Sequence, residues 1–186
     1  ILEVDIGKLI EEEFRGMKVA ICANLPYYIT SPVIMYLLES RVDIDSITVM
    51  VQKEAAQRLC AEVGTRISGA ITVGVKYYGD AQSLFDVSRG SFMPAPNVDS
   101  SVIRIDINKD NRYGEIDEEF FFKAVKAGFS QRRKTLANSI SSMLGISKDK
   151  IFEVLTEMGL NQAIRAERLT MNEFILLSEK LKNALN

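Results

Sequence analysis

Within five residues, Asn24-Leu25-Pro26-Tyr27-Tyr28 brings together a side-chain amide, a carbonyl placed just before a proline, and two aromatic rings. Pro26 has no N–H to give to a strand ladder, so the chain must turn there and the Leu25 carbonyl loses a regular ladder partner. The Asn24 side chain and the Leu25 backbone can then converge as two oxygen acceptors, with the Tyr27 ring as a flat wall beside them. Such a set suits a planar base with an exocyclic amino group, whose two N–H hydrogens meet the acceptors while the ring stacks. The exocyclic nitrogen of adenine is a poor nucleophile because its lone pair is delocalised into the ring. Acceptors aimed at its hydrogens favour a pyramidal nitrogen and stabilise the positive charge that grows as it attacks a methyl donor. No strong base is required, and the chain contains no histidine. That excludes imidazole triads and imidazole metal sites. The ordinary structural reading of the same residues is a strand that ends in an Asn-Leu-Pro turn.

A second stretch, Ser91-Phe92-Met93-Pro94-Ala95-Pro96-Asn97-Val98-Asp99-Ser100-Ser101, has two alternate prolines that hold the backbone extended and out of helix. An exposed Phe92 at the head of this rigid loop could close the second face of a base held on Tyr27; its structural alternative is a core ring between two strands. A third stretch is set apart by charge. Residues 120–147 contain Lys123, Lys126, Arg132, Arg133 and Lys134 and no acid, in a chain whose net charge is −2. A single-sign patch in an acidic chain points to phosphate contact, against the alternative of a helix start with solvated basic ends.

Asn24-Leu25-Pro26-Tyr27, the run from Phe92 to Ser100, and Gln131-Arg132-Arg133-Lys134-Thr135-Leu136 occur in this order along the chain. Together they resemble the ribosomal RNA adenine N6-dimethyltransferase family, with most likeness to its bacterial small-subunit branch, which methylates two adjacent adenosines with S-adenosylmethionine. The erythromycin-resistance methylases are similar but diverge in the later motifs. The resemblance runs along the whole sequence. It implies that Asn24 and the Leu25 carbonyl hold the target amino group and that Pro26 shapes the turn. It also implies that Tyr27 and Phe92 sandwich a base taken out of its stack, and that Asn24 lies near the donor. Lys123, Lys126, Arg132, Arg133 and Lys134 become contacts to the RNA backbone of the small ribosomal subunit. Arg165 and Arg168, beside Glu167, are weaker candidates. Within the enzymes the competing reading is a DNA adenine methyltransferase; outside them it is an RNA-binding ribosome-assembly factor without catalysis.

The elements that must position these groups can be traced in order. Val19 to Asn24 reads as a strand buried on both faces of a parallel sheet, and Cys22 and Cys60, far apart and without a C-x-x-C, as buried small apolar residues rather than a metal or disulfide framework. Open α/β sheets bind ligands beyond the carboxyl ends of their strands, which is where Asn24 to Tyr28 falls. Ser31-Pro32 predicts a helix start, with Val33, Ile34, Leu37 and Leu38 as its buried stripe. Ile47 to Val51 predicts a second buried strand. Gln52-Lys53-Glu54 ends it at the same edge of the sheet and leads into a helix over 54–60, with lining of the RNA side as the alternative reading of those three residues. Residues 61–69 are a loop and 70–78 a helix on the strength of the resemblance. Residues 81–88 and 101–107 form a final antiparallel pair, with Arg104 on the polar face. Beyond the polar stretch Asn108 to Gly114 the periodicity predicts four helices, over 120–129, 132–144, 151–158 and 172–185, with stops at Gly145 and Gly159. Glu11-Glu12-Glu13 is a solvated helix face.

The expected architecture is α/β: the C-terminal half of a Rossmann-like class I methyltransferase sheet over residues 1–113, then a small all-helical RNA-binding domain over 114–186. Hydrophobic content is 47% of 186 residues, enough for a packed core, with no membrane-length apolar run. A cytoplasmic monomer without metal is the simplest reading. The run from Ile1 to Ile6 has no initiator methionine, and no glycine-rich turn precedes Asn24. In a methyltransferase of this kind such a turn cradles the donor and an acid on the second strand takes its ribose. The expectation is therefore that the main donor-binding half, on the order of 80 residues at roughly 30 per βαβ unit, lies outside this sequence and that the fragment alone is inactive.

Overall fold

The computed structural model describes residues 3–110 and 112–185. Ile1 and Leu2, in the expected opening run, and Asn111, in the expected boundary, lie outside the described residues. The chain divides into two compact units, one of residues 1–61 and 74–110 and one of residues 62–73 and 111–186. This differs from a single cut after residue 113, because the segment 62–73 counts with the helical unit.

The first unit is built on a four-stranded sheet of order β1-β2-β4-β3, from β1 (Ala20–Asn24), β2 (Ser46–Gln52), β3 (Gly79–Val87) and β4 (Ser100–Ile107). β1 and β2 are parallel, in register from Ala20 opposite Ser46 to Asn24 opposite Met50. β4 runs antiparallel to both β2 and β3. Ile47, Val49, Val51, Ile103 and Ile105 are buried in the centre of the sheet. Helix α1 (Ile6–Glu13) is capped by Asp5, whose side chain accepts the Lys8 N–H, and it turns Glu11, Glu12 and Glu13 to solvent. Helix α2 (Thr30–Glu39) buries the expected stripe of Val33, Ile34, Leu37 and Leu38. Helix α3 (Lys53–Leu59) follows β2 directly. Helix α4 (Ala70–Tyr78) leads into β3, where a Cβ on Gly79 would come 2.3 Å from the Asp106 carbonyl oxygen, so only glycine fits this strand crossing.

The structure corrects three expectations. β1 is not buried on both faces: Ala20, Cys22 and Asn24 are exposed, while Ile21 and Ala23 are half-buried. As the end strand it has β2 on one side only, so an apolar run typical of a central strand has less cover than its composition calls for. Cys22 is accordingly exposed and Cys60 only partly buried. Ser31 is not a helix cap; α2 starts at Thr30, and Pro32 sits inside the first turn, where its missing N–H costs nothing.

The second unit packs α5 (Glu118–Gly128), α6 (Leu136–Leu144), α7 (Lys148–Glu157) and α8 (Met171–Leu185) around Phe121, Leu136, Ile140, Ile151, Leu155, Phe174 and Leu177. Phe129 and Phe174 stack with ring centroids 5.6 Å apart. Asp117 caps α5, Thr135 caps α6 and Ser147 caps α7. α8 starts with a reciprocal capping box, in which the Thr170 N–H donates to Glu173 Oε2 at 2.7 Å and the Glu173 N–H donates back to Thr170 Oγ1 at 3.3 Å. Gly145 and Gly159, at φ 70° and 69°, end α6 and α7 as expected. Within the 62–73 segment the Ser68 hydroxyl donates to the Glu167 carbonyl at 3.3 Å. No described helix is long and apolar enough to cross a membrane, and no described group of side chains could hold a metal ion.

Candidate active site and nucleic-acid interface

The sheet topology gathers the first two motifs at one edge. β1 and β2 run parallel, with Asn24 at the end of β1 opposite Met50, two residues before β2 ends at Gln52. β4 is antiparallel to β2 and begins there, with Ser100 opposite Gln52, and β3 ends there, with Val87 opposite Ser100. The turn 25–29 and the loop 88–99 therefore both leave the sheet at the edge where open α/β sheets bind ligands.

In the turn, Pro26 has ψ 136° and the chain passes through a single 3-10 turn, Tyr27–Ile29. The Pro26 carbonyl accepts the Ile29 N–H at 3.1 Å and the Thr30 hydroxyl at 3.3 Å. Outside the regular elements, no described backbone N–H donates to the Leu25 carbonyl. The turn thus spends one carbonyl on its own geometry and leaves the other uncommitted, beside an exposed Asn24 side chain. Tyr27 is half-buried, and its hydroxyl shares a 2.8 Å hydrogen bond with Ser100 Oγ, across 73 positions of sequence. Ser100 is fully buried, so this bond fixes the Tyr27 ring against the start of β4. Tyr28 is 84% exposed.

The loop is anchored at both ends. The Asp99 side chain accepts the Arg89 N–H at 2.9 Å, the Asp99 carbonyl accepts the Lys53 N–H at 3.0 Å, and the Met93–Pro94 peptide is cis. Phe92 is half-buried rather than exposed, and its neighbour Met93 is the exposed side chain at 99%. Lys53 and Asp86 pair at 2.6 Å, with Ser101 also donating to the Asp86 carboxylate. Lys53 followed by the Ser101 hydroxyl holds the Asp86 carboxyl below its ordinary range.

All five basic side chains are exposed. Lys123 and Lys126 lie one turn apart on α5. Arg132, Arg133 and Lys134 do not begin a helix as expected; they occupy a turn closed by the Lys134 N–H donating to the Gln131 carbonyl at 3.0 Å. The helix waits for Thr135, whose hydroxyl accepts the Asn138 N–H, and Leu136, whose N–H donates to the Ile164 carbonyl at 2.8 Å. Elsewhere in this unit lysines are spent on partners, with Lys180 on Glu157 at 2.6 Å and Lys182 on Asp117. Arg165 and Arg168 are also exposed.

Sequence reasoning did not identify Asp86 or Arg89 as parts of this edge, and it placed Ser100 in the proline motif without its bond to Tyr27. These contacts depend on strand register.

The sequence profile described as ribosomal RNA adenine dimethylase matches residues 1–183. Among curated relatives, the ribosomal RNA small subunit methyltransferase A of Geobacillus sp. (strain WCH70) is 44% identical, over 100% of this chain and 65% of its own length. The Clostridioides difficile (strain 630) protein of the same name is also 44% identical, over 96% of this chain and 62% of its own length. The chain thus spans less than two thirds of the curated relatives it matches. A crystal structure of a dimethyladenosine transferase from Plasmodium falciparum superposes with TM-score 0.73 at 25% identity, covering 88% of this chain and 66% of that one. The 23S rRNA methyltransferase ErmE shares the fold at TM-score 0.63 and 18% identity, over 98% of this chain and 80% of its own.

Proposed function

Because this chain belongs to the ribosomal RNA adenine dimethylase family, we propose that it is part of an enzyme that dimethylates adenine N6 in small-subunit ribosomal RNA, in the cytoplasm and as a monomer, in support of ribosome biogenesis. The observation that carries this reading is the pairing, at one sheet edge, of the uncommitted Asn24 and Leu25 acceptors with a Tyr27 ring locked by Ser100.

S-adenosylmethionine supplies an electrophilic methyl group. The residues present fit its use: Asn24 is exposed at the carboxyl end of β1, next to an acceptor that no turn hydrogen bond consumes. In the proposed reaction the Asn24 Oδ1 and the Leu25 carbonyl accept the two N6–H hydrogens and draw the nitrogen lone pair out of the ring. They then stabilise the cationic nitrogen of the transition state. Tyr27 stacks on one face of the base; Phe92, behind a loop anchored by Asp99, closes the other. The proton is lost after transfer, so no side chain need act as a strong base. Lys123, Lys126, Arg132, Arg133 and Lys134 hold the RNA backbone.

Among the described residues no glycine-rich turn joins a strand to a helix, and the chain spans less than two thirds of its curated relatives. We infer that the chain alone holds the donor weakly and keeps its RNA affinity, the main donor contacts being supplied by sequence outside it. The function is tested by incubating the full-length protein with undermethylated small subunits and labelled donor, then digesting the RNA to nucleosides. The expected product is N6,N6-dimethyladenosine; label in another nucleoside, or none, overturns the reading.

A further inference from the structure

Among the described residues, the large apolar side chain most open to water is Met93, 99% exposed at the tip of the loop 88–99. A single exposed apolar residue needs no explanation by itself. Here, however, the backbone beneath it is held from both legs of the loop. On the way out of β3, Ser88 caps a 3-10 turn over Arg89–Ser91, and the Phe92 N–H donates to the Arg89 carbonyl at 3.3 Å. On the way into β4, the Asp99 carboxylate accepts the Arg89 N–H at 2.9 Å and the Asp99 carbonyl accepts the Lys53 N–H at 3.0 Å. The Arg89 guanidinium ties one leg to the other by donating to the Asn97 carbonyl at 3.4 Å. Pro94 and Pro96 fix φ within the tip. A loop tied in this way keeps Met93 out in water instead of letting it fold back onto the sheet, against the hydrophobic preference of the side chain.

Met93 is also placed by its neighbour. Phe92 is half-buried and, in the reading above, closes one face of the extruded adenine; Met93 is the next residue, about 3.8 Å along the backbone. The opposite wall repeats the pattern, with half-buried Tyr27 followed by Tyr28 at 84% exposure. Tyr28 has a hydroxyl for water to bond, whereas Met93 offers only a weak sulfur acceptor. An adenine that leaves its stack uncovers the faces of its neighbours, and the lost stacking is a cost of extrusion. An apolar side chain inserted between bases takes up the space in an opened stack. Methionine, unbranched and polarisable, suits an irregular gap between aromatic faces.

We propose that Met93 is a wedge that enters the RNA stack at the place the target adenosine vacates, while Phe92 beside it closes on the extruded base. The proposal rests on the methyltransferase reading above. It gives Met93 no contact with the reacting nitrogen. Met93 is a positioning residue that acts on the balance between stacked and extruded adenosine, and it recognises a gap rather than a base sequence.

The test pairs a protein change with an RNA change. Full-length wild-type and Met93→Ala proteins are assayed on undermethylated small subunits in which the nucleotide 5′ or 3′ of the target adenosine is either intact or abasic. On intact RNA, Met93→Ala should lower kcat/KM about tenfold, the low end for loss of one side chain stacked on a base. An abasic neighbour on the side that the wedge enters removes the face it covers, so the ratio of wild type to variant should shrink below threefold there. Met93→Leu, apolar and of similar size, should stay within threefold of wild type on intact RNA. Wild-type transfer by Met93→Ala on intact RNA, a ratio unchanged by an abasic neighbour on either side, or Met93→Leu as slow as Met93→Ala overturns the proposal. Asn24→Ala is run in parallel: wild-type transfer by that variant would instead sink the base-site reading on which this one depends.

Discussion

The sheet edge and the basic turn differ in how their functional groups are held. At the edge, Tyr27 is fixed through Ser100 and the Phe92 loop through Asp99 and Lys53, contacts that exist only when three strands and two connections have assembled. In the helical unit, Arg132, Arg133 and Lys134 project from a turn that is closed locally by Gln131 and ended by the Thr135 cap. The first arrangement fixes orientation, which a transition state requires. The second offers charge without orientation, which suffices for a phosphate backbone. Chemistry and affinity should therefore separate on mutation.

The largest effect is expected at the edge. Asn24→Ala in the full-length protein removes one of two acceptors on the amino group and should slow methyl transfer by about 10²–10³, the scale for deleting one preorganised polar group aimed at developing charge. Asn24 is exposed, so melting temperature should hold. A loss below tenfold in single-turnover assays would mean that the Leu25 carbonyl alone does the work.

The next effect is on binding. Replacing Arg132, Arg133 and Lys134 with Ala should weaken RNA binding irrespective of sequence. The slope of log affinity against log salt should drop by nearly one for each phosphate that is no longer neutralised. An unchanged slope would make the patch a solvated turn and erase the contrast.

A smaller effect sharpens the contrast from the structural side. Tyr27→Phe removes the hydrogen bond to Ser100 and should cost about 1 kcal/mol of stability. Ser100→Ala should cost a similar amount, with the double variant well short of the sum because the two share one bond. Additive losses in denaturant unfolding would show that the ring is not held in this way.

Far less of the edge than of the turn was legible in the sequence. The four helical periodicities, the αL glycines Gly145 and Gly159 and the charge run 120–147 are local signals, and each helix was found within a few residues. The largest displacement, α6 starting at Leu136 rather than Arg132, follows from the Thr135 cap outcompeting a basic tract for the N-terminus; α7 starts three residues early, at Lys148 behind the Ser147 cap. Strand positions could be read from apolar runs, and Pro26 marked the end of β1 correctly. The exposure of β1 and Cys22 could not be read, because burial depends on strand order rather than composition. The Tyr27–Ser100 bond was hidden for the same reason: register sets it.

The smallest effect concerns pH and lies away from both sites. Lys109 meets Asp43 at 2.7 Å and Asp45 at 2.8 Å, and these two hydrogen bonds raise its pKa from 10.5 to about 12. A folded value above the ordinary one stabilises the fold fully below pH 10.5, and that contribution is lost as pH rises towards 12. Asp45, held low chiefly by its bond to Lys109, adds stability above 3.8 that is lost in acid. All three groups are on the surface, so salt should mute both effects. Lys109→Met should flatten the stability profile in the alkaline window, as seen by thermal unfolding across that range; an unaltered profile would show the pair to be silent.

The separation of chemistry from affinity is tested most directly by single-turnover methyl transfer and equilibrium RNA binding measured on the same full-length samples, for Asn24→Ala and for the Arg132, Arg133, Lys134 triple variant. The account predicts that Asn24→Ala keeps its Kd and loses the saturating rate, while the triple variant loses Kd and keeps the saturating rate within a few-fold. Loss of Kd in the first, or of saturating rate in the second, would contradict it.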